Sequence, residues 1–163
     1  MKKVLIIGYG DIGSRIVARL PMQEFIGVSR SASAALPNLE FIKHDWMNES
    51  KLIVPSMDFS TIVMILKPTS PDSEGYQRGF LDASYQMMNF FNNNISYEKL
   101  LIVTSTRVYG LGNGRNITEA MTPLPDDEQA SIILEYEDFV TRESKIEPMI
   151  LRPSGLYDEQ AHW

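Results

Sequence analysis

Residues 4–13, Val4-Leu5-Ile6-Ile7-Gly8-Tyr9-Gly10-Asp11-Ile12-Gly13, constrain the fold more than any other stretch. Four consecutive apolar residues read as a short strand buried on both faces. Three glycines follow in the spacing G-x-G-x-x-G, and behind them Ile12, Ile16, Val17 and Leu20 recur at helical spacing. Strand, glycine turn and helix in that order are the setting in which such glycines bind a dinucleotide. Gly8 permits the tight turn off the strand, Gly10 leaves room for a pyrophosphate against the backbone, and Gly13 lets the helix pack close to the strand. The free N–H groups and the positive end of the helix dipole then face the phosphates. The alternative is a glycine turn in an α/β protein that holds no ligand.

The rest of the chain alternates strands and helices. Residues 24–29 read as a second strand and run into Arg30. That position, about twenty residues after the first glycine, meets the adenosine ribose in a dinucleotide fold. An acid there suits the 2′-hydroxyl of NAD, whereas Arg30, among Ser29, Ser31 and Ser33, favours the 2′-phosphate of NADP, with NAD left open. Residues 39–43 alternate as a third strand and end on His44-Asp45-Trp46. Asp45 either bonds the adenine amine beside Trp46 or caps a turn. His44 has no partner at metal spacing and reads as a packing or surface residue. Residues 61–66 are a fourth strand, so Leu66 and Lys67 fall at a carboxyl end, where ligands sit in open α/β sheets. Lys67 points either at the cofactor or into solvent.

Residues 73–94 read as one long helix with two apolar stripes. Tyr76, Phe80, Ala83, Met87 and Phe90 make one; Leu81, Tyr85, Met88 and Phe91 make the other. A helix on a sheet needs one stripe, so the second predicts a homodimer contact. Residues 100–103 are a fifth strand, followed by a long loop over 111–127 of the kind that is usually functional. A helix of about fifteen residues starts at Asp126 or Asp127, and residues 148–151 form a sixth strand. These buried, non-alternating strands predict a doubly wound, mostly parallel α/β sheet of the Rossmann type, in the order 3-2-1-4-5-6.

The 163 residues suffice for one such domain and its core, with no second domain expected. The chain has no cysteine, which excludes disulfides and thiolate chemistry, and only His44 and His162 carry imidazole, so no metal site is expected. A net charge of −6 with scattered Lys and Arg argues against a nucleic-acid partner. No stretch approaches membrane-span length and the N-terminal apolar run is too short for a signal peptide, so a cytoplasmic protein is expected.

Several segments together resemble the short-chain dehydrogenase/reductases, in particular the extended and atypical NAD-dependent epimerase/dehydratase group. The glycine turn matches; Thr104-Ser105-Thr106-Arg107-Val108-Tyr109-Gly110 is similar to the segment after strand five; Glu119 sits where that family often has an acid; and Ile150-Leu151-Arg152-Pro153-Ser154-Gly155-Leu156-Tyr157 is similar to the segment after strand six. The resemblance implies cofactor contacts along Gly8, Tyr9, Gly10, Asp11, Ile12 and Gly13, and at Thr104 and Pro153. It makes Ser105 the active-site hydroxyl that orients a substrate's carbonyl or hydroxyl oxygen. It also implies hydride transfer with a Tyr acid/base and a Lys four residues on. This sequence departs there: none of its seven tyrosines has Lys four residues later, and alignment on Glu137 puts Gln129 and Ile133 at those two positions. The resemblance also implies a carboxy-terminal substrate domain, which is not expected within these 163 residues. Two functions follow: an NADP-dependent oxidoreductase or isomerase acting on a small hydroxyl or carbonyl compound, or an NADP(H)-binding module without catalysis.

Overall fold

The computed structural model describes residues 2–31, 36–48, 52–111 and 116–155. Six strands, β1 (Lys3–Ile7), β2 (Phe25–Ser29), β3 (Leu39–Lys43), β4 (Asp58–Met64), β5 (Ser96–Val103) and β6 (Met149–Leu151), form one sheet in the order β3-β2-β1-β4-β5-β6. Every neighbouring pair is parallel. The expected Rossmann-type order is therefore the observed one.

β1 lies at the centre, and its alternating side chains divide the core into two layers. Val4 and Ile6 join Tyr9 and Val17 on the face covered by α1 (Asp11–Arg19). Leu5 and Ile7 join the larger cluster on the opposite face, which contains residues of α3 (Ala83–Asn94) and α4 (Glu128–Glu143). Burial on both faces is why this strand reads as an unbroken apolar run.

Two strands differ from the pattern-based boundaries by more than one residue. β4 begins at Asp58 and ends at Met64, so Ile65 and Leu66 lie just past it. β5 begins four residues early, at Ser96, because Ser96–Lys99 pair with Asp58–Thr61 at the solvated end of the sheet. Ser96, Glu98 and Lys99 are polar, and Ser96 adds a 2.7 Å hydrogen bond from its hydroxyl to Asp58, so this part of the strand gives little apolar signal.

The segment expected to be one regular helix is three. α2 (Ser73–Tyr76) is capped by Asp72, whose carboxylate accepts from the Gly75 N–H at 2.8 Å. A π-helical stretch, Gln77–Asp82, follows, and α3 completes the run. The wider turn changes the angular phase of everything beyond it. Phe80 and Leu81, from different stripes, are both buried, and so are Met87 and Met88. Of the second stripe, Leu81, Met88 and Phe91 pack inside the chain, and the exposed Tyr85 meets Phe139 of α4 edge-on with ring centroids 4.2 Å apart. The two stripes are one broad buried face split by a change of helical period. Among the described residues, no helix is long and apolar enough to cross a membrane.

Candidate functional site

The glycine turn is held from both sides. The N–H groups of Gly8 and Tyr9 both donate to the Val28 carbonyl, at 3.0 and 2.9 Å. Gly8 has φ +80°, and a Cβ there would lie 2.0 Å from the Ile65 carbonyl oxygen, so only glycine fits. Gly10 precedes α1 as its N-cap, with no side chain over the first turn. A Cβ on Gly10 would come no nearer than 3.9 Å to any neighbour, the Gly8 oxygen. The space in front of the helix N-terminus is thus open, as a bound pyrophosphate requires.

Tyr9 points the other way. Its ring is 2 % exposed and fills the gap between α1 and β2. A Cβ at Gly13 would be 2.9 Å from the ring, and one at Gly27 would be 2.8 Å. Gly13 and Gly27 are therefore small because Tyr9 is large. Tyr9 is a packing residue whose side chain does not face the cleft. Asp11 is exposed in the first turn of α1, where its carboxylate accepts from Arg15 Nε at 2.9 Å. Ile12 is half-buried beside it.

At the carboxyl end of β2, Arg30 is exposed, and the Ser29 hydroxyl donates to the Ser31 carbonyl at 2.8 Å. Ser33 lies outside the described residues. Asp45 takes the turn-capping alternative: its carboxylate accepts from Asn48 Nδ2 at 2.8 Å and from the Met47 N–H at 3.1 Å. The Asn48 hydrogen bond above all, then the Met47 N–H and the Arg30 charge, hold this carboxyl below the ordinary range against the opposing effect of burial. Trp46 is half-buried against the main core, and His44 is packed at 6 % exposure. Leu66 is buried in the core, whereas Lys67 is exposed at the strand end.

A second concavity, about 560 Å³ in volume, opens beyond the carboxyl ends of β5 and β6. Tyr76, Phe80, Ser105, Arg107, Ile133 and Ser154 are among its lining residues. Ser105 caps a 3₁₀ turn (Thr106–Tyr109), its Oγ accepting from the Arg107 N–H at 3.1 Å. The Arg107 guanidinium is held by Asp127, with Nε and Nη2 at 3.0 and 2.9 Å from one carboxylate oxygen. Its remaining Nη1 donates to the Tyr76 hydroxyl at 3.2 Å. Asp127 also caps α4 through the Ala130 N–H, at 2.7 Å.

Beneath the pocket lies a buried polar cluster that the sequence does not announce. Glu137 of α4 is 1 % exposed. It accepts from Arg152 Nη2 at 2.6 Å, from Arg152 Nε at 3.1 Å and from the Thr104 hydroxyl at 2.6 Å. Arg152 Nη1 donates to the Tyr109 hydroxyl at 2.6 Å, with the guanidinium 5.1 Å from the Tyr109 ring centre. Thr104 therefore spends its hydroxyl on Glu137. The Pro153 carbonyl accepts the Thr106 N–H at 3.1 Å. Both residues tie the strand ends together, and Leu156 and Tyr157 lie outside the described residues.

On α4, the positions where the sequence resemblance leads one to expect a tyrosine and a lysine hold Gln129 and Ile133. Gln129 donates from Nε2 to the Pro71 carbonyl at 2.7 Å, and Ile133 is a buried wall residue. Tyr136 is wholly buried against Phe80, its hydroxyl has no hydrogen-bond partner, and burial pushes its phenol far above the ordinary range. It belongs to the core. Among the described residues, no group of three His, Asp or Glu is arranged to hold a metal ion.

No family model and no curated protein matches the chain by sequence. Solved structures do match it by shape. One is a UDP-glucuronic acid 4-epimerase from Bacillus cereus in complex with NAD, with TM-score 0.76 and 18 % identity, covering 98 % of this chain and 59 % of that one. Another is a UDP-N-acetylglucosamine 4-epimerase from Methanobrevibacter ruminantium M1, with TM-score 0.69 and 22 % identity, covering 98 % and 58 %. A third, MoeE5 in complex with UDP-glucose and NAD, has TM-score 0.69 and 21 % identity, covering 93 % and 52 %. The likeness is one of fold. The chain spans less than two thirds of the length of each of these structures.

Proposed function

We propose that this protein binds a nicotinamide adenine dinucleotide across the carboxyl edge of its sheet and acts there on a small compound bearing a hydroxyl or carbonyl group. The observation that carries the reading is the open cradle at Gly10, set between a glycine that only a positive φ satisfies and a helix N-terminus without a side-chain cap. Two features support it: the Ser105 pocket beyond the neighbouring strand ends, and the NAD carried by structures of the same shape. In this reading Gly8, Gly10 and the first turn of α1 hold the pyrophosphate, and Arg30 faces the adenosine ribose and favours NADP. The bound nicotinamide would supply hydride chemistry. Ser105 would hold the reacting oxygen of the substrate.

A second reading, an NADP(H)-binding module without catalysis, is favoured by Gln129 and Ile133 at the positions where the related enzymes' tyrosine and lysine are expected. Thermal unfolding with NADP, NADPH, NAD and NADH at millimolar concentration tests both. Stabilisation by NADP(H) supports cofactor binding, and no shift with any of the four overturns both readings together. Arg30→Asp should move the preference toward NAD(H) by about tenfold, the worth of one charge-assisted contact; an unchanged preference removes Arg30 from the site.

A further inference from the structure

The Ser105 pocket lacks a proton donor on α4, yet a phenol reaches it from the opposite wall. Tyr76 ends α2, where the π-helical stretch begins, and lines the same cavity as Ser105. One residue joins the two hydroxyls. The Arg107 backbone N–H donates to Ser105 Oγ, and its guanidinium donates to the Tyr76 hydroxyl. Each hydroxyl oxygen accepts from Arg107 and so keeps its own proton to give elsewhere. The guanidinium is fixed on its other side by Asp127 and stays charged at any ordinary pH. π-Helical turns recur at functional sites. Here the turn is held against the end of β4, because a Cβ on Gly79 would lie 2.2 Å from the Lys67 carbonyl oxygen.

We propose that Tyr76 is the catalytic acid/base of this pocket, with Arg107 as its positioning residue. The inference rests on the dinucleotide-binding reading above. In the reductive direction, a bound reduced nicotinamide would supply the hydride, with its electron pair, that the substrate carbonyl carbon takes up. The Tyr76 O–H bond breaks and an O–H bond forms on the substrate oxygen, to which Ser105 donates a hydrogen bond. The carbonyl compound is reduced to the alcohol, the nicotinamide is oxidised, and the phenolate regains its proton from water. Arg107 faces the oxygen on which charge then builds.

The test is the reactivity of the phenol toward an arylsulfonyl fluoride, in which an S–O bond forms at tyrosine and fluoride leaves. Sites are mapped by peptide mass spectrometry on the full chain. NADPH and NADH binding to the unlabelled protein is measured separately by fluorescence. Tyr76 should label about tenfold faster than the more exposed Tyr85, because the Arg107 guanidinium, 3.2 Å from its oxygen, is placed to stabilise the charge of the attacking oxygen. Arg107→Met should remove that advantage, and Arg107→Lys, which keeps the charge, should restore part of it. Asp127→Asn keeps a capping oxygen while releasing the guanidinium, so it should slow labelling even if Arg107→Met fails to fold. NADPH should protect Tyr76 and leave Tyr85 unchanged. Labelling no faster than at Tyr85, or indifferent to Arg107, overturns the proposal. If NADPH binds but does not protect Tyr76, the proposal falls and the cofactor reading stands. If neither NADPH nor NADH binds, both fall.

Discussion

The two ends of the cleft are built from different materials. The glycine-turn end is made of backbone: Gly8 and Tyr9 hang from the Val28 carbonyl, and Gly10 contributes by having no side chain. The far end is made of side chains drawn from residues 104–109, 127–137 and 152–154, locked by Arg107–Asp127 and by Glu137–Arg152. A site made of backbone is fixed by the fold and fails only where a Cβ intrudes. A site made of side chains can be rewritten by a few substitutions while the sheet stays intact. That difference accounts for a chain that keeps the glycine turn and yet has Gln129 and Ile133 where an acid/base pair is expected.

The largest effect should come from putting a side chain where the backbone end has no room. Gly8→Ala combines a positive φ with a Cβ 2.0 Å from a carbonyl oxygen, and should cost at least about 3 kcal/mol in urea unfolding. A loss under 1 kcal/mol would break the comparison. Next comes the side-chain end. Glu137→Ala leaves the Arg152 guanidinium, 21 % exposed, without its carboxylate. It should cost about 3 kcal/mol, at the low end for a buried pair because Arg152 keeps some water. Adding Arg152→Ala should cost less than the sum of the two single changes.

Gly10→Ala separates binding from folding. Its Cβ enters open space, so stability should change by less than about 1 kcal/mol while NADPH affinity falls about tenfold. Equal affinity would remove the cradle from the argument. The smallest effect concerns acid. The Asp127 carboxyl is held below 3.8, first by the Ala130 N–H, with Arg107 adding to it. A carboxyl with a depressed folded-state pKa contributes stability above its unfolded value and loses it as pH falls through the folded one. Stability should therefore decline as pH drops from about 5 toward 3, and Asp127→Asn should flatten part of that decline. Because Asp127 is 41 % exposed, solvent screening keeps the difference small.

The backbone end was legible in the sequence because it is local. Strand, three glycines and helix lie within seventeen residues, so the pattern can be read without any long-range contact. The sheet order followed from the same motif. The Asp127 cap of α4 was readable for the same reason. The packing of the Tyr9 side chain does not show in the sequence, because its partner Gly27 lies eighteen residues away and shows only as a missing side chain. The Glu137 cluster was invisible because Thr104, Tyr109, Glu137 and Arg152 converge from three elements. The resemblance did mark Arg152 and Glu137, as motif letters without a role. The doubled stripe on residues 73–94 was read with one helical period where the chain uses two.

That change of period makes one position depend on counting. Within Gln77–Asp82 the N–H of Ala83 reaches back five residues to the Arg78 carbonyl. The run thus carries a residue more than an α-helix of the same axial length. An α-helix advances about 100° per residue. Removing any one residue from the stretch would let α2 and α3 fuse into a regular helix and swing Tyr76 through about that angle, off Arg107 and out of the pocket. The phenol is aimed by the number of residues behind it, whatever their identity, so a single-codon deletion would disarm the pocket more thoroughly than most substitutions within it.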